Sequence, residues 1–281
     1  MKPAWLKLMK LNLSLAVTLS AVSGYVLFSS SIQTSFFLIL IGVFFLSSSA
    51  AAFNQIIEIK ADSIMNRTKN RPLITKALSL NQSLVIAFLF LFAGIIFLTF
   101  IKSKIPLLLG ILNIFWYIFV YTPLKYKTAF AAVFGAPTGA IPVLMGYTAS
   151  GGNIMDVSVV FLAMFLFMWQ IPHFWLLALR YGKDYENAGI ISIQSKFSIR
   201  SLKRLILVWF FATELVALLP VIFQIIQHGI VIVFLIFFNF CSFFFVCYLL
   251  RNSEKTRFAF IFLNIYLLIH LLVNIFDKFI D

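Results

Sequence analysis

Runs of mostly apolar residues recur along the chain and are separated by short polar segments. A helix needs about 20 such residues to cross the hydrocarbon core of a bilayer. The pattern therefore predicts an all-α, polytopic integral membrane protein with nine transmembrane helices. The predicted helices cover residues 11–29, 35–57, 83–101, 105–122, 128–147, 157–180, 204–226, 229–250 and 258–276.

The amino-acid composition excludes several other classes of protein. Of the 281 residues, 62% are hydrophobic and 11% are charged, whereas soluble domains have about 25% charged residues. This composition excludes a soluble globule, a coiled coil and a disordered chain. Because no separate soluble segment stands out, we expect residues 1–281 to form a single transmembrane domain.

The distribution of positive charge predicts the orientation in the lipid bilayer. The net charge is +13, and 19 of the 22 Lys and Arg residues fall on one side of the predicted helices. Cytoplasmic loops carry such an excess, so we attribute the charge to topology and expect no nucleic-acid partner. The predicted N-terminus is cytoplasmic. The first helix follows Lys2, Lys7 and Lys10 without a clear cleavage site, so we expect it to be retained. Because no Arg- and Ser-rich transit segment precedes it, we expect the membrane to be a bacterial inner membrane.

A first polar cluster follows the second predicted helix. Asn54, Glu58 and Asp62 are spaced four residues apart, which places them on one face of a helix. Their oxygen atoms suit Mg²⁺, which binds one or two carboxylates together with phosphate oxygens. Arg67 and Arg71 follow, and guanidinium groups match phosphate oxygens. The residues alone leave two interpretations open: a diphosphate site, or a polar helix end with local ion pairs.

A second polar cluster follows the sixth predicted helix and includes Asp184. Four helices separate the two clusters, and an even number returns the chain to the same side of the membrane. Lys125 and Lys127, after Tyr121, fall on that side too. The sequence therefore predicts a cavity with a charged mouth and an apolar interior, which suits a substrate with a charged head and a long hydrocarbon tail.

Three stretches of the chain contain distinctive motifs. They are N-Q-I-I-E-I-K-A-D-S-I-M-N-R-T-K-N-R-P at 54–72, Y-T-P-L-K-Y-K-T with G-A-I-P-V-L-M-G within 121–146, and W-Q-I-P-H-F with K-D-Y-E-N-A-G-I within 169–190. Together they resemble the UbiA superfamily of intramembrane prenyltransferases, and within it the branch that modifies heme. The resemblance extends over about the whole chain, and its R-T-x-x-R-P and W-Q-x-P-H-F elements are more specific than the acidic motif.

The resemblance implies a reaction and a set of site residues. The implied donor is farnesyl diphosphate, the acceptor protoheme IX, the product heme O and the cofactor Mg²⁺. A further heme-modifying enzyme or a terminal oxidase is the expected partner. The implied roles are Mg²⁺-bridged diphosphate binding by Asn54, Glu58, Asp62 and Asp184; charge neutralisation by Lys60, Arg67, Arg71 and Lys125; cation shielding by Tyr121 and Trp169; and heme-iron or propionate contact by His173.

The sequence departs from the family pattern in the acidic motifs and in one loop. Glu58 stands where many relatives have Asp, and Lys60 replaces a common acid. Ala188 stands four residues after Asp184, where a second aspartate is frequent. The loop that begins Ile191-Ser192-Ile193 replaces the usual P-M-L. We therefore expect one carboxylate to suffice in the second motif.

Two alternative functions are consistent with parts of this pattern. One keeps the superfamily and changes the acceptor to a quinone or chlorophyll precursor, against which the W-Q-I-P-H-F stretch argues. The other is a membrane transporter or scaffold. Transporters often place broken helices and polar sites at the membrane midplane, whereas the charged residues here gather at one face.

Overall fold

The computed structural model describes residues 3–252 and 255–280, so Lys2 lies outside the described residues. Helices dominate the described chain. A π-helix, Trp116–Tyr121, connects α6 to α7, and a short 3₁₀-helix covers Ile193–Ser195. The α-helices are α1 (Ala4–Leu8), α2 (Leu11–Phe28), α3 (Thr34–Ile57), α4 (Ile59–Ile64), α5 (Leu80–Thr99), α6 (Ile105–Phe115), α7 (Thr122–Leu124), α8 (Ala131–Gly135), α9 (Pro137–Ala149), α10 (Val157–Asn187), α11 (Ile199–Ile222), α12 (Gly229–Arg251) and α13 (Thr256–Asp277).

The all-α membrane architecture is confirmed, with one difference in the number of continuous spans. Within the described residues, eight helical segments are long and apolar enough to cross a membrane. The predicted span 128–147 is instead divided into α8 and α9. Ala136, between them, keeps helical angles (φ −61°, ψ −35°), but Pro137 lacks an N–H and so interrupts the hydrogen-bond ladder.

The long helices pack around a central space. Helix α3 packs against α5, α2 against α9, and α10 against α11, while α13 contacts both α10 and α2. One apolar core is formed mainly by the five consecutive helices from α9 through α13, and a second mainly by α2, α3, α5 and α6. Large apolar side chains such as Phe100, Phe237 and Phe240 point outward and are exposed, as expected for surfaces that contact lipid tails.

Two irregular junctions carry side chains toward the central space. Glu58 lies between α3 and α4 with φ −91° and ψ 15°, so the predicted single helix bends there. The Glu58 amide still donates to Asn54 O at 3.0 Å, and the Asp62 amide donates to Glu58 O at 2.8 Å. The three polar residues therefore remain at helical spacing despite the bend.

The second junction is the π-helix before α7. Pro123 cannot donate a backbone hydrogen bond, and the Thr122 amide and Thr122 Oγ1 both donate to Tyr117 O, the hydroxyl at 2.8 Å. Short π-helical turns are frequent at functional sites because they shift the register of the residues that follow. Here the π-helix carries Tyr117 and Tyr121, and Lys125 directly follows α7.

Candidate active site

A cavity of about 670 Å³ lies between α2, α3, α6, α9, α10 and α13. Its charged lining residues lie at helix ends and in the turns after α4, on one side of the bundle, and apolar residues form the walls below them. The charged end, which we call the mouth, is formed by Lys10, Asn54, Glu58, Arg67, Arg71, Lys125 and Tyr185.

Two buried ion pairs connect the elements at the mouth. Lys125 Nζ lies 2.6 Å from Glu58 Oε1, and Arg71 pairs with Asp62. Both carboxylates are buried. Each of the two carboxylates therefore pairs with a cation: the partner of Glu58 is 67 residues away in sequence, and that of Asp62 is nine residues away.

The ion pairs decide the charge state of the mouth. Burial raises the pKa of the Glu58 carboxyl, but the charge and hydrogen bond of Lys125 outweigh burial and hold it below its ordinary value. Burial lowers the pKa of Lys125, but the charge and hydrogen bond of Glu58 outweigh burial, and the pKa of Lys125 lies above its ordinary value. Burial raises the pKa of Asp62 in spite of Arg71. Glu58 and Lys125 are therefore both charged near neutral pH.

Lys10 is a site residue that sequence reasoning missed. Its Nζ donates to Asn54 Oδ1 at 3.1 Å, and its backbone is left-handed, with φ 48°. Non-glycine residues in this region often mark functional positions. Burial, followed by the charges of Arg71 and Lys125, lowers the pKa of Lys10 to about 7. The sequence signal, a lysine next to an apolar run, is shared by ordinary topology-setting lysines.

The structure places Asp184 beside the mouth, next to the loop that follows α4, although neither Asp184 nor Asp62 lines the cavity itself. Helix α10 bends at Tyr181, and the following turn faces the loop after α4. Asn66 Nδ2 lies 3.5 Å from Asp184 Oδ1, and an Arg67 guanidinium nitrogen lies 3.5 Å from Tyr185 Oη. The loop that carries the arginines therefore connects the two acidic segments.

An aromatic wall stands directly below the mouth. The rings of Tyr117 and Tyr121 are 5.5 Å apart, and Lys125 Nζ lies 4.6 Å from the Tyr121 ring centroid. Phe174 contacts Tyr121 from α10, with 5.9 Å between ring centroids. A Cβ atom at position 135 would lie 2.6 Å from the Tyr121 ring, so Gly135 makes room for this wall.

Trp169 and His173 form the α10 side of the cavity. Trp169 Nε1 donates to Leu263 O at 2.7 Å, which connects α10 to α13. The His173 ring lies between Trp169, at 4.6 Å, and Phe260, at 4.7 Å. Its buried Nδ1 has no hydrogen-bond partner within the described chain. The histidine is therefore held by its ring faces and retains an unused nitrogen.

Two further predicted features differ in their placement. Lys60 is exposed and does not line the cavity, so its predicted role stays a prediction. The divergent loop at 191–193 does line the cavity. The Ile191 amide donates to Lys125 O at 3.0 Å, so this loop supports the backbone of the lysine that pairs with Glu58.

The residues that would hold a metal ion are oxygen donors. Within residues 3–252 and 255–280, no three Asp, Glu, His or Cys side chains are grouped closely enough to bind a metal ion by themselves. Asp62 Oδ1 is buried and accepts no hydrogen bond from the described residues. A buried carboxylate oxygen with unused acceptor capacity is compatible with a hard cation that also takes phosphate oxygens. The donor set therefore fits Mg²⁺ shared with a diphosphate.

A multi-pass helical bundle with charged residues above an apolar cavity defines an intramembrane protein for amphipathic substrates. The chain belongs to the UbiA prenyltransferase family, whose model matches residues 14–268. It is therefore a prenyltransferase, as predicted.

The relatives in sequence include two proteins named protoheme IX farnesyltransferase. The protein from Geobacter sulfurreducens is 36% identical over 185 residues, which cover 66% of this chain and 68% of the relative. The protein from Christiangramia forsetii is 35% identical over 213 residues, which cover 75% and 70%.

Solved structures show the same fold at low sequence identity. A UbiA homologue from Aeropyrum pernix has a TM-score of 0.78 at 14% identity and covers 96% of this chain and 98% of its own. A UbiA homologue from Archaeoglobus fulgidus, solved with GPP and Mg²⁺, has a TM-score of 0.72 at 13% identity and covers 99% and 100%. The predicted UbiA-like bundle is confirmed.

Proposed function

We propose that the chain transfers the farnesyl group of farnesyl diphosphate to a vinyl group of protoheme IX and so forms heme O. The observation that carries this proposal is a charged mouth above an apolar cavity, in a chain whose relatives are named protoheme IX farnesyltransferase. The mouth suits a diphosphate, and the cavity suits the prenyl chain and the porphyrin.

The diphosphate is held where the two acidic segments meet. Mg²⁺ would be held by Asn54, Glu58, Asp62 and Asp184 together with diphosphate oxygens. When bound, Mg²⁺ supplies positive charge that stabilises the departing diphosphate.

The cationic side chains of the chain serve the same leaving group. Arg67, Arg71 and Lys125 neutralise charge as it develops on the diphosphate when the carbon–oxygen bond loosens, and Lys10 adds a fourth cation. Fixed charges that face a developing charge lower a barrier because they need no reorganisation. Tyr121 and Trp169 shield the resulting allylic cation by cation–π contact. The vinyl group then attacks that cation.

The Lys10 charge gives an expected pH dependence. In the substrate-free site the pKa of Lys10 is lowered to about 7, so the Lys10 ammonium loses its proton and its charge as the pH rises. The KM for farnesyl diphosphate should therefore increase between about pH 6 and pH 8, because binding then includes proton uptake. Lys10→Met should raise KM at the lower pH and remove most of this dependence. Steady-state kinetics across that range measure both effects, and an identical pH profile in the variant would contradict the role of Lys10.

His173 is proposed to contact the heme, through the iron or a propionate. The motivating observation is its unused Nδ1 in a cavity wall. His173→Ala should weaken heme binding by about tenfold, the effect of one lost hydrogen bond or coordinate contact of about 1.4 kcal/mol, and should shift the heme absorption band. The matched control is His228→Ala, which lies at the α12 N-terminus and pairs with Asp277. If both variants had the heme affinity and the absorption spectrum of the unmodified protein, His173 would not contact the heme.

A quinone or chlorophyll precursor is the alternative acceptor. Purified protein with farnesyl diphosphate and Mg²⁺ is offered protoheme IX or 4-hydroxybenzoate, and products are separated by mass. We expect a farnesylated porphyrin and no prenylated benzoate. The opposite result would keep the prenyltransferase and replace the acceptor. A transporter or scaffold would release no pyrophosphate with either compound.

The proposed setting is the inner membrane of a bacterium, with the mouth facing the cytoplasm. The excess of Lys and Arg at the mouth side of the bundle supports this orientation. The product would pass to a further heme-modifying enzyme or to a terminal oxidase.

A further inference from the structure

Gln170 is an uncommitted amide in the wall of the cavity. It lies on α10, four residues before Phe174, and lines the cavity. It has no hydrogen bond to any residue that the structure describes, and it is not fully buried. A Cβ atom at position 139 would lie 1.9 Å from Gln170 Oε1. The glycine therefore provides the space that this amide occupies.

A second amide reaches the same part of α9 from the opposite wall. Asn113 Nδ2, on α6, donates to Thr138 O at 3.3 Å. Asn113 Oδ1 is buried and accepts no hydrogen bond from the described chain. The two amides thus lie against the consecutive residues Thr138 and Gly139. Amides inside a cavity that have unused hydrogen-bonding capacity are usually satisfied by an ordered water molecule, which needs two or more polar partners.

The two amides, Gln170 and Asn113, lie close to the aromatic wall formed by Tyr121 and Phe174. Gln170 precedes Phe174 by four residues, and Gly139 follows Gly135, which packs on Tyr121, by four. Four residues of α-helix correspond to about 6 Å. The amides therefore lie about one turn below the Tyr121–Phe174 wall, on the apolar side of the mouth, where an acceptor that attacks the allylic carbon would extend.

From this geometry we infer that Gln170, with Asn113, positions the water molecule that captures the carbocation formed on the porphyrin side. This inference rests on the proposed function. The terminal vinyl carbon forms a bond to the allylic carbon as the carbon–oxygen bond to diphosphate breaks. The inner vinyl carbon becomes cationic. Water forms a carbon–oxygen bond there and loses its proton to the released diphosphate. Without water at this place, the cation instead loses a proton from the neighbouring carbon and gives an alkene.

The hydroxylated product and the alkene differ by one water molecule, so the ratio of these two products tests the inference. Gln170→Leu keeps a side chain of similar volume without hydrogen-bonding atoms. It should shift the ratio of hydroxylated to dehydrated farnesyl porphyrin by about tenfold toward the alkene, as expected for the loss of one hydrogen bond. Gly139→Ala should shift the ratio in the same direction, because the new Cβ displaces the amide while both amide groups remain. Asn264→Leu removes a different cavity amide, which already donates to Phe260 O at 2.6 Å, and should leave the ratio unchanged.

Each outcome decides the assignment. A shifted ratio in Gln170→Leu and Gly139→Ala, with the ratio kept in Asn264→Leu, supports it. An unchanged ratio in the first two variants overturns it. Loss of both products in a folded Gln170→Leu variant also overturns it, since Gln170 would then act in farnesyl transfer itself. If the unmodified protein forms no farnesylated porphyrin, the proposed function fails instead, which is a different result.

Discussion

Glu58→Gln should reduce the rate of farnesyl transfer by at least about a thousandfold while the protein remains folded. The substitution keeps the shape of the side chain and removes its charge, so Lys125 loses its ionic partner and the diphosphate site loses an anionic oxygen donor. Losing one preorganised electrostatic contact to a reacting group commonly costs about a hundred- to a thousandfold. Here the same carboxylate both supports Lys125 and contributes to the proposed Mg²⁺ donor set. Pyrophosphate release from farnesyl diphosphate measures the effect.

The matched control is Glu214→Gln. Glu214 is also a buried glutamate, but it lies on α11 and does not line the cavity. We expect this variant to retain activity within a fewfold of the unmodified protein. Asp62→Asn should behave as Glu58→Gln does, because Asp62 holds Arg71 at the mouth. Full activity in both mouth variants would remove the first acidic motif from the mechanism.

Lys125→Met should both inactivate the protein and destabilise it. Removing one partner of a buried ion pair leaves the other charge unpaired and costs about 3–5 kcal/mol. The loss should shrink at lower pH, because the pKa of Glu58, no longer held down by Lys125, rises under the effect of burial. Thermal unfolding in detergent at several pH values measures both effects.

The double variant Lys125→Met/Glu58→Gln separates stability from activity. It removes both charges and leaves a neutral contact, so it should recover most of the lost stability. It should not recover transfer, since the diphosphate then faces neither the cation nor the carboxylate. Recovery of transfer together with stability would mean that the ion pair serves only the fold.

Much of the bundle, and the grouping of Glu58 and Asp184 at one end of it, could be predicted from the sequence. Apolar runs long enough to cross a bilayer identify helices directly, and counting the spans between Glu58 and Asp184 places both on one side. The spacing of Asn54, Glu58 and Asp62 indicates a shared face, and the bend at Glu58 leaves that face intact. These features depend on short-range periodicity, which a single sequence carries.

The pairings within the site could not be predicted in the same way. Glu58 contacts Lys125, and Ile191 supports that lysine from a third segment; these contacts join positions far apart in the chain. Lys10 resembles any lysine at a membrane boundary until the fold places it beside Asn54. The division of the predicted span 128–147 arises at Pro137, which is also acceptable in a continuous membrane helix with a kink.

The most direct test of the central claim is the mass of the hemes extracted from bacterial cells that express this chain and otherwise form only protoheme. We expect a new porphyrin heavier than protoheme by one farnesyl group and one hydroxyl group, and we expect it to be absent from cells that express Glu58→Gln at an equal level. Cells that contain the membrane-inserted, folded protein and show protoheme alone would contradict it.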